Sequence, residues 1–283
     1  NVTRKLIACK KIYAVTAPAF AGQFGENVTI GMVKDAFIKI GFKDLFEAAL
    51  GADAVTVNEG EELKHRLEKG DKYMTSSCCP AFVSYIEKKH PELCAKISGT
   101  VSPMTACGKM LKKMDNDAIV VFIGPCTAKK AEIKTPWVKD AVDYVLTFEE
   151  AAALLGAFNI EPENCDDLEV VHASGAGRNF AQGGGLSAAL GTMSDEIGMD
   201  LKTVCASGAE EVKQLLVKAR SNRVDGNFIE GMMCEGGCIG GPGAVVSKKK
   251  SRQGLLKYVS SSEEKNIAKN KNLYLFEGLD LNK

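Results

Sequence analysis

Net charge is missing from this sequence: 36 Lys and Arg balance 36 Asp and Glu across 283 residues. A chain without an excess of positive charge lacks the means for bulk electrostatic capture of nucleic acid or of an anionic lipid surface. Long apolar runs are missing too. No uncharged stretch approaches the roughly 20 residues that cross a bilayer as a helix, so neither nucleic acid nor membrane is expected as a partner. The opening Asn1-Val2-Thr3-Arg4-Lys5 lacks a signal-peptide pattern. It also lacks an initiating Met, so the chain is expected to be processed or to be part of a longer protein. No internal repeat or low-complexity linker divides it into independent domains. Histidine is scarce, with 3 copies, and His65, His90 and His172 form no ligand-like spacing. What remains is ordinary for a globular protein, 45% hydrophobic and 25% charged, and long enough to bury a core as one large domain or two lobes.

Against that background the 10 cysteines stand out. Disulfide scaffolds are usually much shorter and secreted. A Cys-rich, His-poor chain without a signal points to a reducing, cytoplasmic location and to a thiolate-bound metal centre of zinc, Cu(I) or iron–sulfur type.

Strand-like and helix-like segments alternate, which predicts α/β architecture. Residues 12–15 form a short apolar run that ends at Ala17-Pro18. Ile30, Val33, Phe37 and Ile40 follow helical spacing. Residues 117–123 read as the strongest strand, apolar enough to be covered on both faces. Residues 142–146 and 168–171 read as further strands. Val212, Leu215, Leu216 and Ala219 mark one face of a helix, and 224–229 a turn leading into a strand. From Lys248 the chain is polar and basic and is expected to be a solvated surface segment. Ligand sites in α/β sheets lie beyond the carboxyl ends of strands. Three cysteine-bearing turns fall there: Thr75-Ser76-Ser77-Cys78-Cys79-Pro80 after Tyr73-Met74, Gly124-Pro125-Cys126 after 117–123, and Glu230-Gly231-Met232-Met233-Cys234 after Phe228.

Cys234 and Cys238 enclose Glu-Gly-Gly and are followed by Ile-Gly-Gly-Pro-Gly. Two thiolates so spaced can face one body, and the glycines let the backbone approach and offer N–H groups to it. With Cys79 and Cys126 they make four thiolates, a set that suits a [4Fe-4S] cluster or tetrahedral zinc. Spacing alone leaves buried structural cysteines open as the alternative. Cys9, Cys94, Cys107, Cys165 and Cys205 have no metal spacing and read as buried or free thiols. The Gly-rich stretch 174–185 lacks the Gly-Lys-Ser/Thr ending of a phosphate loop and is expected to pack near the cluster.

The segments Thr75-Ser-Ser-Cys-Cys-Pro80, Pro125-Cys-Thr-Ala-Lys-Lys-Ala-Glu132 and Phe228-Ile-Glu-Gly-Met-Met-Cys-Glu-Gly-Gly-Cys-Ile-Gly-Gly resemble the three signature motifs of the [FeFe]-hydrogenases in content, order and spacing. The resemblance covers nearly the whole chain. It implies one catalytic domain over 1–283, built as two interleaved lobes whose mainly parallel sheets are flanked by helices, with the active-site cluster buried in the cleft between them. It implies an H-cluster, a [4Fe-4S] cubane bridged to a two-iron unit with CO, cyanide and azadithiolate, that interconverts 2H⁺ + 2e⁻ and H₂. Cys79, Cys126 and Cys234 would hold the cubane, and Cys238 would hold it and bridge to the two-iron unit. Cys78 would be the proton-relay thiol, continued by Glu59, Ser98, Glu62 and Arg66. Lys129, held by Glu132, would face a cyanide ligand. Ala17, Pro18, Ser102, Pro103, Met104, Gly124, Pro125 and Met232 would line the pocket.

Departures from the family's common pattern are Gly124 and Met104, where many members carry Met and Gln, and Phe82 after Cys-Cys-Pro in place of Trp. Gly124 is expected to remove a side chain from the two-iron pocket, and the set resembles the divergent group B type. Neither a Cys-x-x-Cys-x-x-Cys run nor a signalling module is present. Electrons are therefore expected from a ferredoxin or similar carrier, or from an iron–sulfur domain upstream of residue 1, and maturation proteins are expected as further partners. The same motifs leave two other functions in view: an iron–sulfur assembly or electron-transfer protein without the two-iron unit, and an H₂ sensor. Retention of Cys78 and its acidic continuation favours the enzyme.

Overall fold

The computed structural model describes residues 11–283, which leaves the expectation for Cys9 outside the described residues. The first sheet is built on β1 (Ile12–Thr16), an apolar strand covered on both faces. Helix α1 (Ile30–Ile40) follows, opened by the Thr29 side chain, which accepts from the Met32 N–H, and closed by Gly41 in the left-handed region at φ 116°. Next come β2 (Asp44–Glu47) and the long α2 (Ala48–Glu68). The chain then enters the second sheet at the two-residue β3 (Met74–Thr75) and continues into α3 (Pro80–Lys89) and α4 (Pro103–Met114). It returns to the first sheet for β4 (Ile119–Ile123), a single turn α5 (Lys129–Glu132), β5 (Tyr144–Leu146) and α6 (Phe148–Ala157), whose start is a Thr147–Glu150 capping box. Three short helices, α7 (Gly175–Arg178), α8 (Gly185–Gly191) and α9 (Ser194–Ile197), lead to β6 (Thr203–Ser207), α10 (Ala209–Arg220), β7 (Phe228–Met232) and α11 (Lys248–Ser260).

The sheets have orders β2-β1-β4-β5 and β3-β7-β6, and every strand pair is parallel. The α/β expectation, with two lobes of parallel sheet flanked by helices, therefore holds. The lobes are interleaved, since the chain leaves the first sheet after β2, supplies β3, and comes back for β4. The apolar core reflects this division. One cluster surrounds Val15, Phe37, Leu50 and Val121, while Met74, Leu186 and Phe228 centre a second and Phe82, Ile86 and Ile229 a third.

Two expectations fail. Residues 168–171 form no strand. Side chains of α1 and its cap capture this stretch instead: Thr29 donates to Asp167 at 2.5 Å and Lys34 to the Glu169 carbonyl at 2.9 Å. Gly31 lets the backbone of Leu168 come in, for a Cβ there would stand 2.3 Å from its carbonyl oxygen. The region from Lys248 is also more than a solvated surface. It forms α11, which buries Ser251 and Leu255 and sends the Tyr258 hydroxyl to Glu47.

Glu47, at the carboxyl end of β2, is the anchor of that contact. Arg178 donates to both of its oxygens, at 2.9 and 2.6 Å, and stacks over the Tyr258 ring at 4.1 Å. Burial pushes the Glu47 carboxyl up, but His172, Arg178 and Tyr258 outweigh it and the net shift is downward. The ion pair ties α7 and α11 to the first sheet directly behind Ala48. Replacing Arg178 by Met strands a buried carboxylate, a change that costs on the order of 3–5 kcal/mol. Urea denaturation of the variant is expected to show a lowered midpoint, and a wild-type midpoint would contradict this account.

Candidate metal centre

Because all strands of a parallel sheet end on one edge, the loops that follow them are gathered there. Ala17 and Pro18 follow β1, Pro125 and Cys126 follow β4, Cys78 and Cys79 follow β3, and Met232 closes β7 just before Cys234. These residues line one cavity, together with Cys238, Pro103, Met104 and Lys129. All four cysteines assigned to the cluster are thus brought together across gaps of up to 107 residues. None of the nine described cysteines is disulfide-bonded. The thiols outside the site, Cys94, Cys107, Cys165 and Cys205, are free as expected, with Cys107 and Cys165 buried and Cys94 and Cys205 exposed.

Glycine makes the approach possible at two positions. A Cβ on Gly231 would lie 2.2 Å from the Phe82 ring, and Gly237, at φ 90°, has the backbone N of Gly183 only 2.5 Å from where its Cβ would stand. The Gly-rich stretch is packed against the cluster loop as expected, and its end supplies Phe180 and Ala181 to the cavity wall.

Gly124 leaves room for a neighbouring side chain. It lies outside the cavity lining, because the Phe122 ring, 2.7 Å from the position of a Gly124 Cβ, fills that space and itself forms part of the wall. Phe122 is a lining residue that sequence reasoning missed, although its place two residues before Gly124 was visible. Met104 is fully buried and lines the cavity.

The donor set fits an iron–sulfur cluster. Among the described residues no three His, Cys, Asp or Glu side chains are gathered as the ligands of a single metal ion. The four thiols line one shared cavity instead. Burial raises the thiols of Cys79, Cys234 and Cys238, the second to about 11, and the neighbouring cysteines add to the rise at Cys234 and Cys238. A cationic cluster is what would let such crowded thiols ionise. Lys129 is the cavity's cation. Its Nζ lies 2.6 Å from Glu132 Oε2 and donates to the Cys78 carbonyl at 3.4 Å. Burial works to neutralise this lysine, but Glu132 and the adjacent thiols outweigh it and its pKa is raised.

Glu59, Ser98, Glu62 and Arg66 stand outside the cavity, in a line leading away from it. Three of them lie on one face of α2. Glu59 is fully buried and accepts from the Ser77 N–H at 3.3 Å, while its other oxygen has no partner. Burial raises Glu59 to about 8, with the nearby Glu62 adding to the rise and Ser98 offsetting part of it. Ser98 donates to Glu62 Oε2 at 2.8 Å, and Arg66 donates through Nε to Glu62 Oε1 at 2.9 Å. Burial pushes Glu62 up, but the Gly99 N–H, Ser98 and Arg66 more than compensate and hold it below the usual carboxylate range. Two carboxyls three residues apart are therefore shifted in opposite directions.

Several relatives are recognisable. Iron hydrogenase 1 of Clostridium pasteurianum is 30% identical over 78% of this chain and 46% of its own length. The NADP-reducing hydrogenase subunit HndD of Solidesulfovibrio fructosivorans is 30% identical over 83% of this chain and 50% of its own. The chain thus spans about half the length of these curated relatives. The cytosolic Fe-S cluster assembly factor NAR1 of Kluyveromyces lactis is 35% identical, over 35% of this chain. A solved [FeFe]-hydrogenase structure concerned with oxygen inactivation has the same fold, with a TM-score of 0.80 over 96% of this chain and 92% of its own at 21% identity. No helix among the described residues is long and apolar enough to cross a membrane. Residues 10–242 match the family described as iron only hydrogenase large subunit, C-terminal domain, and the chain belongs to that family.

Proposed function

We propose that residues 1–283 form a single catalytic domain that interconverts protons and H₂ at a complete H-cluster. The observation that supports this reading best is the pairing of a four-thiol cavity with a fifth buried thiol, Cys78, on which the buried carboxyls of Glu59 and Glu230 both bear. A cluster scaffold alone has no use for an acid–base route. When bound, the H-cluster supplies the redox chemistry and the site at which H₂ forms. Cys79, Cys126, Cys234 and Cys238, which line one cavity, would hold it through their thiolates. Lys129, kept charged by Glu132, offers hydrogen bonds to an anionic ligand. Ala17, Pro18, Pro103, Met104, Pro125 and Met232 exclude water from the cavity.

Cys78, buried and raised well above the ordinary thiol range by burial and then by Glu59, is a neutral donor at neutral pH. It hands its proton inward and is reprotonated from Glu59, which is itself protonated below about 8. Ser98, Glu62 and Arg66 continue the path outward. Electrons come from a ferredoxin-like carrier or an upstream iron–sulfur domain, and maturation proteins install the two-iron unit.

A second reading, an iron–sulfur assembly protein with the cubane alone, draws support from the likeness to NAR1. The two readings separate on H₂ evolution by the matured protein with an artificial reductant. The first requires turnover and the second forbids it.

Cys126→Ala and Cys234→Ala are each expected to lose cluster iron and turnover together. Wild-type iron by elemental analysis in either variant would contradict the ligand assignment. Cys78→Ala is expected to keep its iron and lose about 10²–10⁴-fold in rate, with Cys78→Asp recovering part of the loss. Unchanged turnover would remove Cys78 from the route. Glu59 also gives a stability signature. Its carboxyl binds a proton more tightly in the folded state (about 8) than in the unfolded one (near 4.5), so folding stability falls as pH rises through that window. Glu59→Gln is expected to flatten this dependence between pH 5 and about 8 in denaturant titrations. The same slope in both proteins would contradict the shift.

A further inference from the structure

Glu62 has a hydrogen-bond partner that the proton route does not use. Thr100 is fully buried, and its hydroxyl donates to Glu62 Oε2 at 3.2 Å. The same hydroxyl oxygen accepts from Asn58 Nδ2 at 2.9 Å, and the other N–H of that amide goes to Asn282 Oδ1 at 3.2 Å. A threonine hydroxyl carries one proton. With Asn58 donating to its oxygen, that proton is aimed at Glu62, so Thr100 acts as a fixed donor and not as a carrier.

The backbone around Thr100 is equally committed. Its N–H donates to Ser98 Oγ at 3.1 Å, and its carbonyl accepts from Ser77 Oγ at 2.5 Å. Residues 281–283 clamp the segment from outside, with the Val101 N–H on the Leu281 carbonyl and the Lys283 N–H on the Gly99 carbonyl, both at 2.8 Å. One residue thus touches Ser98, Glu62 and the loop that carries Cys78.

We propose that Thr100, aimed by Asn58, is a positioning residue that orients the Glu62 carboxylate toward Ser98 and sets how readily Glu62 takes up a proton; this rests on the proton route proposed above. The charged and titratable groups that bear on Glu62 are Arg66 and Glu59 from α2 itself, while Lys283 from the clamping segment bears on Glu59. The strand of chain at 97–100 contributes only neutral donors to Glu62: Ser98, Thr100 and the Gly99 N–H. Removing the Thr100 donor leaves Arg66, Ser98 and Gly99 in place. The expected effect is therefore a graded rise in the proton affinity of Glu62 and not a collapse of the site.

The test follows the glutamate carboxyls of the as-purified protein by ¹³C NMR against pH, with the Glu62 signal assigned by its loss in Glu62→Gln. Thr100→Val is expected to raise the Glu62 midpoint by about one pH unit, a tenfold change in proton affinity. Thr100→Ser is expected to restore it, and Asn58→Ala to give a smaller rise in the same direction. In the matured enzyme the acidic limb of the pH–rate profile is expected to move upward by the same amount in Thr100→Val. An unchanged Glu62 midpoint in Thr100→Val, or no recovery in Thr100→Ser, overturns the proposal. Should Thr100→Val not fold, an unchanged midpoint in Asn58→Ala does so. A shifted midpoint with an unmoved rate profile supports the Thr100–Glu62 coupling and overturns the proton-route reading instead.

Discussion

Every strand pair among the described residues is parallel, and that one constraint places everything else. Parallel strands deliver their carboxyl ends to a common edge, so the loops after β1, β3, β4 and β7 have nowhere else to go. Cysteines far apart in the chain meet without a compact ligand motif, because the sheets carry the separation. The interleaving of lobes serves the same end. One sheet brings Cys126 and the other brings Cys79 and Cys234, so the cavity lies between two bodies of core, and neither could form it alone.

Burial sets the chemistry of that cavity. Removed from water, the thiols are driven toward their neutral form, Lys129 is held charged by Glu132 and the adjacent thiols, and Glu59 is pushed toward its protonated form. One helical turn further from the cavity, Glu62 is ionised because hydroxyls, a backbone amide and Arg66 converge on it. On the proton route proposed above, an acid pushed toward its neutral form lies beside the Cys78 loop and one held ionised lies beyond it, hydrogen-bonded to Ser98. Burial and local hydrogen bonding alone produce this division between two residues of the same type on the same helix.

The cysteine motifs, the strands at 117–123 and 142–146, and the helix beginning at Ile30 were legible because their signals are local: apolar runs, helical spacing, Gly and Pro after strands. The four assigned thiols and most of the expected wall residues do share a cavity for the same reason. What could not be read depends on partners far away in the chain. Glu47 looks like an ordinary charged residue in a short strand until Arg178, 131 positions later, closes on it. Asp53 likewise becomes meaningful only when Ser174 and Asn270 fold onto it. Residues 168–171 have strand-like composition, but side chains of another element satisfied their polar groups first. The missing side chain at Gly124 is plain in the sequence, but that the Phe122 ring takes its space is not. Thr100 carries no motif at all, and its importance comes entirely from which oxygen its single proton faces.

The central claim is that the cavity beside Cys78 holds a two-iron unit in addition to a cubane. An infrared spectrum of the matured protein in the region of metal-bound CO and cyanide stretches tests this most directly, since protein groups and a bare [4Fe-4S] cluster are silent there. The account predicts sharp bands of both kinds that disappear together in Cys238→Ala. A matured protein that contains cluster iron but shows no bands in this region would contradict it and leave the assembly-protein reading in its place.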